Sequence, residues 1–129
     1  MSSRNYESWG PYAWYKFHKK AIEYPRNPSV YDINNVINYY HNIFLRYIGC
    51  KKCVRDYTRI LIKYPIRTKT NNELFNWSVN IHNIINAKLG KRQMNYDEAR
   101  QYWNNIIFSK NASRYGICQI TPFWRFYNV

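Results

Sequence analysis

Thr70-Asn71-Asn72-Glu73-Leu74-Phe75-Asn76-Trp77-Ser78-Val79-Asn80-Ile81-His82-Asn83-Ile84-Ile85-Asn86-Ala87-Lys88-Leu89-Gly90 is the stretch that marks a helix from end to end. Thr70 and Glu73 stand at capping-box spacing and fix where it starts. Leu74, Trp77, Ile81, Ile85 and Leu89 recur at helical intervals, and Gly90 ends the run. Three polar residues, His82, Asn83 and Asn86, interrupt the apolar pattern, with His82 and Asn86 on one face at i, i+4. A buried polar group without a partner costs about 1–3 kcal/mol. A helix that carries several is presenting them to something polar. Lys88, Lys91 and Arg92 close the helix, where cations suit both the dipole and any phosphate.

The same reading extends to both sides. Trp9-Gly10-Pro11 opens a first helix, with proline in its opening turn, and Trp14, Phe17, His18, Ala21 and Ile22 form its stripe. Tyr24-Pro25 stops it, because the residue before proline avoids helical geometry. Ser29 to Asp32 has capping-box spacing and starts a second helix towards Tyr47, striped by Ile33, Val36, Ile37, Tyr40, Phe44 and Tyr47. Gly49 breaks that pattern. A third helix runs from Cys50 through Cys53, Tyr57, Ile60 and Leu61 to Tyr64-Pro65, and Asn95 to Glu98 caps a fifth that ends near Lys110. Strand-like alternation is absent before the aromatic tail, Ser113 to Val129. The fold class expected is all-α, a helical bundle in one domain over residues 1–129.

The chain has 20 Lys plus Arg against 7 Asp plus Glu, a formal net charge of +13. Aromatic residues make up 19%, which excludes a disordered basic tail, since such tails are poor in them. Three cysteines are too few for a multi-bridge secreted framework. With four glycines and neither G-x-G-x-x-G nor G-x-x-x-x-G-K, the usual nucleotide loops are missing. The polar start lacks the apolar core of a signal peptide, and no run approaches a membrane span. A cytoplasmic protein, neither secreted nor membrane-bound, is expected. The charge attracts nucleic acid or acidic partners. It is equally what A+T-rich codons for Asn, Ile, Lys and Tyr deliver.

Cys50-Lys51-Lys52-Cys53 sets two sulfurs one turn apart at a helix start. As a staple the pair is poor, because closing so small a loop gives only about 2 kcal/mol. As chemistry it is apt: free amides, the helix dipole and two lysines lower a thiol pKa from its usual value of about 8.5. A thioredoxin-type site requires a βαβ context that this chain lacks. A zinc site requires two further ligands; His41 or His82 could be recruited, but no second close pair exists, and no metal is expected. Taken one at a time, a histidine on an apolar face is a satisfied core residue and a tryptophan is packing. Taken together, Trp14, His18, His82, Asn83, Asn86 and the lysines describe a slot with aromatic walls, polar edges, a phosphate-binding rim and a dithiol.

The order W-G-x-x-x-W-x-x-x-H at 9–18, C-x-x-C at 50–53 and H-N-x-x-N-x-x-L-G-K at 82–91, followed by Trp103, resembles the Erv/ALR-type FAD-linked sulfhydryl oxidases over residues 8–107. In form it is most similar to the small enzymes of large cytoplasmic DNA viruses. The resemblance implies a four-helix bundle with a short fifth helix, FAD at its mouth, and a homodimer acting in host cytoplasm or virion. It implies a thiol oxidase that forms disulfides in a dithiol partner, such as a thioredoxin-like protein, with O2 as acceptor and H2O2 as product. By the same resemblance, Cys53 faces the flavin and Cys50 exchanges with substrate. Trp9, Gly10, Trp14, His18, Cys53, His82, Asn83, Asn86, Lys88, Lys91 and Trp103 form the cofactor site.

Two departures stand out. Gly49 replaces the proline usual before the first cysteine and admits backbone geometry that proline forbids. The family's second cysteine pair is missing, leaving Cys118 alone as a bystander, relay or crosslinking thiol. Two rival functions remain at this level: a basic, aromatic-rich nucleic-acid-binding module, and an inactive scaffold that uses Cys118 to crosslink.

Overall fold

The computed structural model describes residues 6–108, so Cys118 and the segment 113–129 lie outside the described residues. The described residues form five α-helices and no strand: α1 (Tyr6–Ile22), α2 (Val30–Asn38), α3 (Lys51–Lys63), α4 (Asn71–Lys88) and α5 (Tyr96–Ile107). The all-α expectation holds. None of these helices is long and apolar enough to cross a membrane.

Helix ends follow local chemistry. Ser29 and Asp32 form a full capping box at α2, as do Asn95 and Glu98 at α5. At α4 only half of the expected box is made. Thr70 accepts from the Glu73 amide, whereas the Glu73 carboxylate turns to Arg67 at 3.4 Å. Gly90, at φ +70°, ends α4 in a Schellman motif: Lys91 N–H donates to the Asn86 carbonyl at 2.7 Å, and Gly90 N–H to Ala87 at 3.2 Å.

Two elements differ from the sequence reading. α1 already includes Tyr6, placing Pro11 in its second turn. The phenol of Tyr6 accepts from Trp14 Nε1, and its ring covers Gly10, so tertiary contacts draw in an extra turn. The second helix keeps α geometry only to Asn38; a π turn over Tyr39–Ile43 and a 3-10 turn over Phe44–Tyr47 follow. The added residue turns two consecutive tyrosines inward. Tyr39 and Tyr40 donate to the Lys16 and Phe17 carbonyls of α1 at 3.1 and 2.6 Å. Tyr57 of α3 donates in turn to the Tyr40 carbonyl at 2.6 Å. The core these hydroxyls enclose is largely aromatic, built around Phe17, Tyr40, Phe44, Tyr57 and Trp77. Asn71 ties the bundle at its other end, donating to the Ala21, Ile22 and Tyr24 carbonyls while Arg100 donates to its oxygen.

Candidate active site

Cys50 and Cys53 are joined in a disulfide at the start of α3. Cys50 is the N-cap residue, in extended geometry, and its sulfur accepts the Cys53 amide at 3.0 Å. The sulfur pair therefore sits where unpaired amides favour negative charge. Lys52 is less available than its position suggests, because Asp56 holds it at 2.9 Å, and that ion pair keeps the Asp56 carboxyl below its usual value.

Cys53, but not Cys50, lines a cleft of about 150 Å³ between α1, α3 and α4. Trp9 and Trp14 come from α1, Tyr57 and Ile60 from α3, and Ile85 and Leu89 from the end of α4. Lys52, Asp56 and Lys88 are its charged members. The cleft is apolar, with cations at its margin, as a flat aromatic ligand bearing phosphates requires.

Behind Trp14 lies a buried polar column. The Trp14 indole stacks on the His82 ring at 3.6 Å between centroids and 8° between planes. His82 Nδ1 meets His18 Nε2 at 2.8 Å, and His18 Nδ1 meets Ser78 Oγ at 3.0 Å. Trp103 covers the far side of His18 at 4.7 Å. Burial pushes the His18 pKa down to about 3 and holds His82 well below the usual histidine range. Both rings are neutral at physiological pH. The slot with aromatic walls is thus closed between Trp14 and His82, so a flat ligand uses the outer face of Trp14 or parts the pair.

Four buried polar atoms of this site lack a partner among the described residues: Trp9 Nε1, Trp103 Nε1, His82 Nε2 and Asn86 Oδ1. Such atoms are costly in an apolar setting and mark where a ligand's own donors and acceptors belong. Two indole donors, an amide acceptor and an imidazole nitrogen among stacked rings suit a ligand that is aromatic and polar by turns. A dinucleotide such as FAD fits this set.

The structure brings Trp9, Trp14, Cys53 and Lys88 to the cleft, and His18, His82, Asn86 and Trp103 to the column behind it. Three other residues of the set act differently. Both ends of the Asn83 amide are used by the Met94 backbone, at 2.7 and 2.9 Å, so its side chain shapes the loop after α4. Lys91 Nζ lies over the Tyr6 ring at 5.5 Å. Gly10 serves by having no side chain, since a Cβ there would stand 2.9 Å from Tyr6 Cζ. Gly49 meets a constraint that the sequence does not show. Its φ is not in the left-handed region, and a Cβ there would meet Trp9 Cδ1 at 2.3 Å, so glycine is needed here for space. Sequence reading missed Tyr6, Asp56 and Ile85 in the cleft. It missed Ser78 as well, whose one signal is a small hydroxyl within the apolar run of α4.

A helical bundle with one sulfur of a Cys-x-x-C disulfide in the wall of an aromatic cleft defines a thiol–disulfide oxidoreductase of the cofactor-assisted kind. The chain belongs to the Erv1/Alr family, whose pattern matches residues 11–104. It is 31% identical over 112 residues to a probable FAD-linked sulfhydryl oxidase of Acanthamoeba polyphaga mimivirus, covering 84% of this chain and 78% of that one. It is 24% identical over 116 residues to an FAD-linked sulfhydryl oxidase of African swine fever virus, covering 90% and 95%. The fold matches the crystal structure of the yeast Erv1 core with a TM-score of 0.67 at 23% identity, over 77% of this chain and 80% of that one.

Proposed function

We propose that Cys50 and Cys53 are the redox pair of an FAD-dependent thiol oxidase, Cys50 meeting the substrate and Cys53 facing the cofactor. The family relation makes the chain an FAD-linked sulfhydryl oxidase that forms disulfide bonds. The observation that carries the division of roles is that Cys53 lines the cleft and Cys50, capping α3, does not. Trp9, Trp14, His18, His82, Asn86, Lys88, Lys91 and Trp103 would hold the cofactor, with Gly10 and Asn83 shaping the ground beneath them. FAD, when bound, supplies a two-electron acceptor for the reduced cysteine pair and an outlet to O2, which leaves as H2O2.

The chain's own part is disulfide exchange. A substrate thiolate attacks Cys50 Sγ, a mixed disulfide forms, and the Cys50–Cys53 bond breaks with Cys53 leaving as thiolate. The second substrate thiolate then attacks the substrate sulfur of the mixed disulfide and displaces Cys50. The substrate has lost two electrons and two protons; the cysteine pair has gained both electrons and, with Cys53 held as thiolate, one proton, the other passing to solvent. The α3 N-terminus and the nearby Lys88 stabilise negative charge on Cys53 while it waits.

The partner in this proposal is a dithiol protein, of thioredoxin-like kind, with an acidic surface around its cysteines. Lys51, Arg55, Arg59 and Lys63 recur at i, i+4 along exposed positions of α3, each about 6 Å beyond the last, starting beside the disulfide. Asp56 is the one acidic residue of that helix and offsets little of the row. Homodimer formation and a place in the cytoplasm or virion complete the proposal, the latter supported by the viral relatives. The nucleic-acid reading gains no support from the relatives, and Trp14, Trp77 and Trp103 are buried rather than offered for stacking.

Oxygen uptake by the full chain, with FAD and dithiothreitol, is the test. One H2O2 per O2 consumed is expected, with uptake abolished in Cys53→Ser. A chain that holds no FAD and consumes no oxygen overturns the proposal and leaves the inactive scaffold.

A further inference from the structure

Ser78 is fully buried at the middle of α4, and the cofactor site as drawn above gives it no task. Its hydroxyl proton is already committed, because Ser78 Oγ donates to the Phe75 carbonyl at 2.6 Å. A hydroxyl has one proton to give, so towards His18 Nδ1 at 3.0 Å it accepts. His18 therefore carries its proton on Nδ1. The ring is neutral in its buried setting, which leaves Nε2 bare. That bare nitrogen faces His82 Nδ1 at 2.8 Å, so His82 must donate from Nδ1 and is left with a bare Nε2 of its own. The direction of the whole chain is set at one end by a carbonyl, which cannot donate.

The far end of this chain is His82 Nε2, buried and without a partner among the described residues. One helical turn on, Asn86 commits its amide N–H to the Arg92 carbonyl at 2.8 Å and leaves Oδ1 unpartnered. Both residues line a small cavity of about 10 Å³ with Trp103. Both residues thus offer an unpartnered atom to this cavity, and among the described residues no donor is bonded to either.

We infer that Ser78 is a positioning residue that fixes His18 and His82 in the doubly Nδ1-protonated form, so that His82 Nε2 offers a lone pair to a hydroxyl or amino donor of the bound dinucleotide. This rests on the FAD reading of the site. Without the Ser78 hydroxyl, His18 is free to move its proton to Nε2 and donate to His82. His82 then carries a proton on Nε2 and meets the ligand donor with a donor.

The test uses the full chain with ¹⁵N-labelled histidine, with and without FAD, and two-bond proton–nitrogen correlations to assign tautomers. In the wild-type protein both His18 and His82 are expected as Nδ1–H. Ser78→Ala should convert both to Nε2–H and weaken FAD binding about ten- to a hundred-fold, while Ser78→Thr keeps both tautomers and affinity. A protonated Nε2 on wild-type His82, or a Ser78→Ala variant with unchanged tautomers and affinity, overturns the inference. Wild-type protein with both Nδ1–H tautomers that binds no FAD sinks the cofactor reading and not the relay. The wild-type tautomers and Ser78→Thr decide the matter even where Ser78→Ala does not fold.

Discussion

Gly49→Ala is a one-methyl perturbation whose consequences are traceable through the site. A Cβ at position 49 would stand 2.3 Å from Trp9 Cδ1, 2.5 Å from Cγ and 2.6 Å from Nε1. Ordinary contact begins near 3.4 Å, so the indole must retreat by about 1 Å. It cannot do so freely. Tyr6 meets Trp9 edge-on at 5.1 Å, Tyr6 is packed on Gly10, and its hydroxyl is bonded to Trp14, which stacks on His82. Overpacking of a well-filled site costs about 1–3 kcal/mol, which for a domain of this size lowers Tm by roughly 3–5 °C per kcal/mol. The loss should be matched by weaker FAD binding, because the displaced ring lines the cleft. Differential scanning calorimetry of the full chain and flavin fluorescence titration measure the two effects. Gly90→Ala is the control: no atom lies within 4 Å of its Cβ, and its φ of +70° costs about 1 kcal/mol of stability without touching the cleft. A Gly49→Ala protein with unchanged Tm and FAD affinity would refute the steric account of this glycine.

Stability should be level above about pH 6.5 and fall below it. The unfolded chain takes up protons there, whereas buried His18 stays neutral until about pH 3. His18 alone should cost about 3 kcal/mol by pH 4.5, with His82 adding in the same direction. Urea unfolding between pH 7.5 and 4.5 reads this, and a flat profile contradicts it. Asn71→Ala strips the α1 carbonyls of a shared donor and Arg100 of an acceptor, and should cost about 1–3 kcal/mol in urea unfolding. Raising salt should slow oxidation of an acidic dithiol protein and not of dithiothreitol, and charge reversal at Lys51 and Arg55 should reproduce that difference at low salt. Equal salt sensitivity for the two substrates would remove the case for the α3 row as a docking face.

Elements with chemistry at both ends were legible in the sequence. α4 has Thr70 at its start, Gly90 at its end and an apolar stripe between, and each of these is local. The polar residues within it stand out because burying them unpartnered is expensive, but only the structure shows that Asn83 is spent on the Met94 backbone while His82 and Asn86 each keep one atom free of partners among the described residues. What could not be read depends on distant partners. The first turn of α1 forms because Tyr6 finds Trp14 and Gly10. The π turn at Tyr39–Ile43 is stabilised by hydroxyl bonds to α1 and from α3, and a periodicity of 3.6 leaves no trace of it. Gly49 was recognisable as unusual, but only the Trp9 indole says why. The Glu73 carboxylate illustrates the same limit within a single turn, since Arg67 outcompetes the expected backbone amide.

The proposed function turns on Cys53, and not Cys50, being the sulfur that meets the flavin. The absorbance spectrum of FAD-loaded Cys50→Ser and Cys53→Ser variants tests it most directly. A long-wavelength thiolate–flavin charge-transfer band is expected in Cys50→Ser, where Cys53 is left as a free thiolate at the cleft, and its absence is expected in Cys53→Ser. A band in Cys53→Ser and none in Cys50→Ser would contradict the assignment.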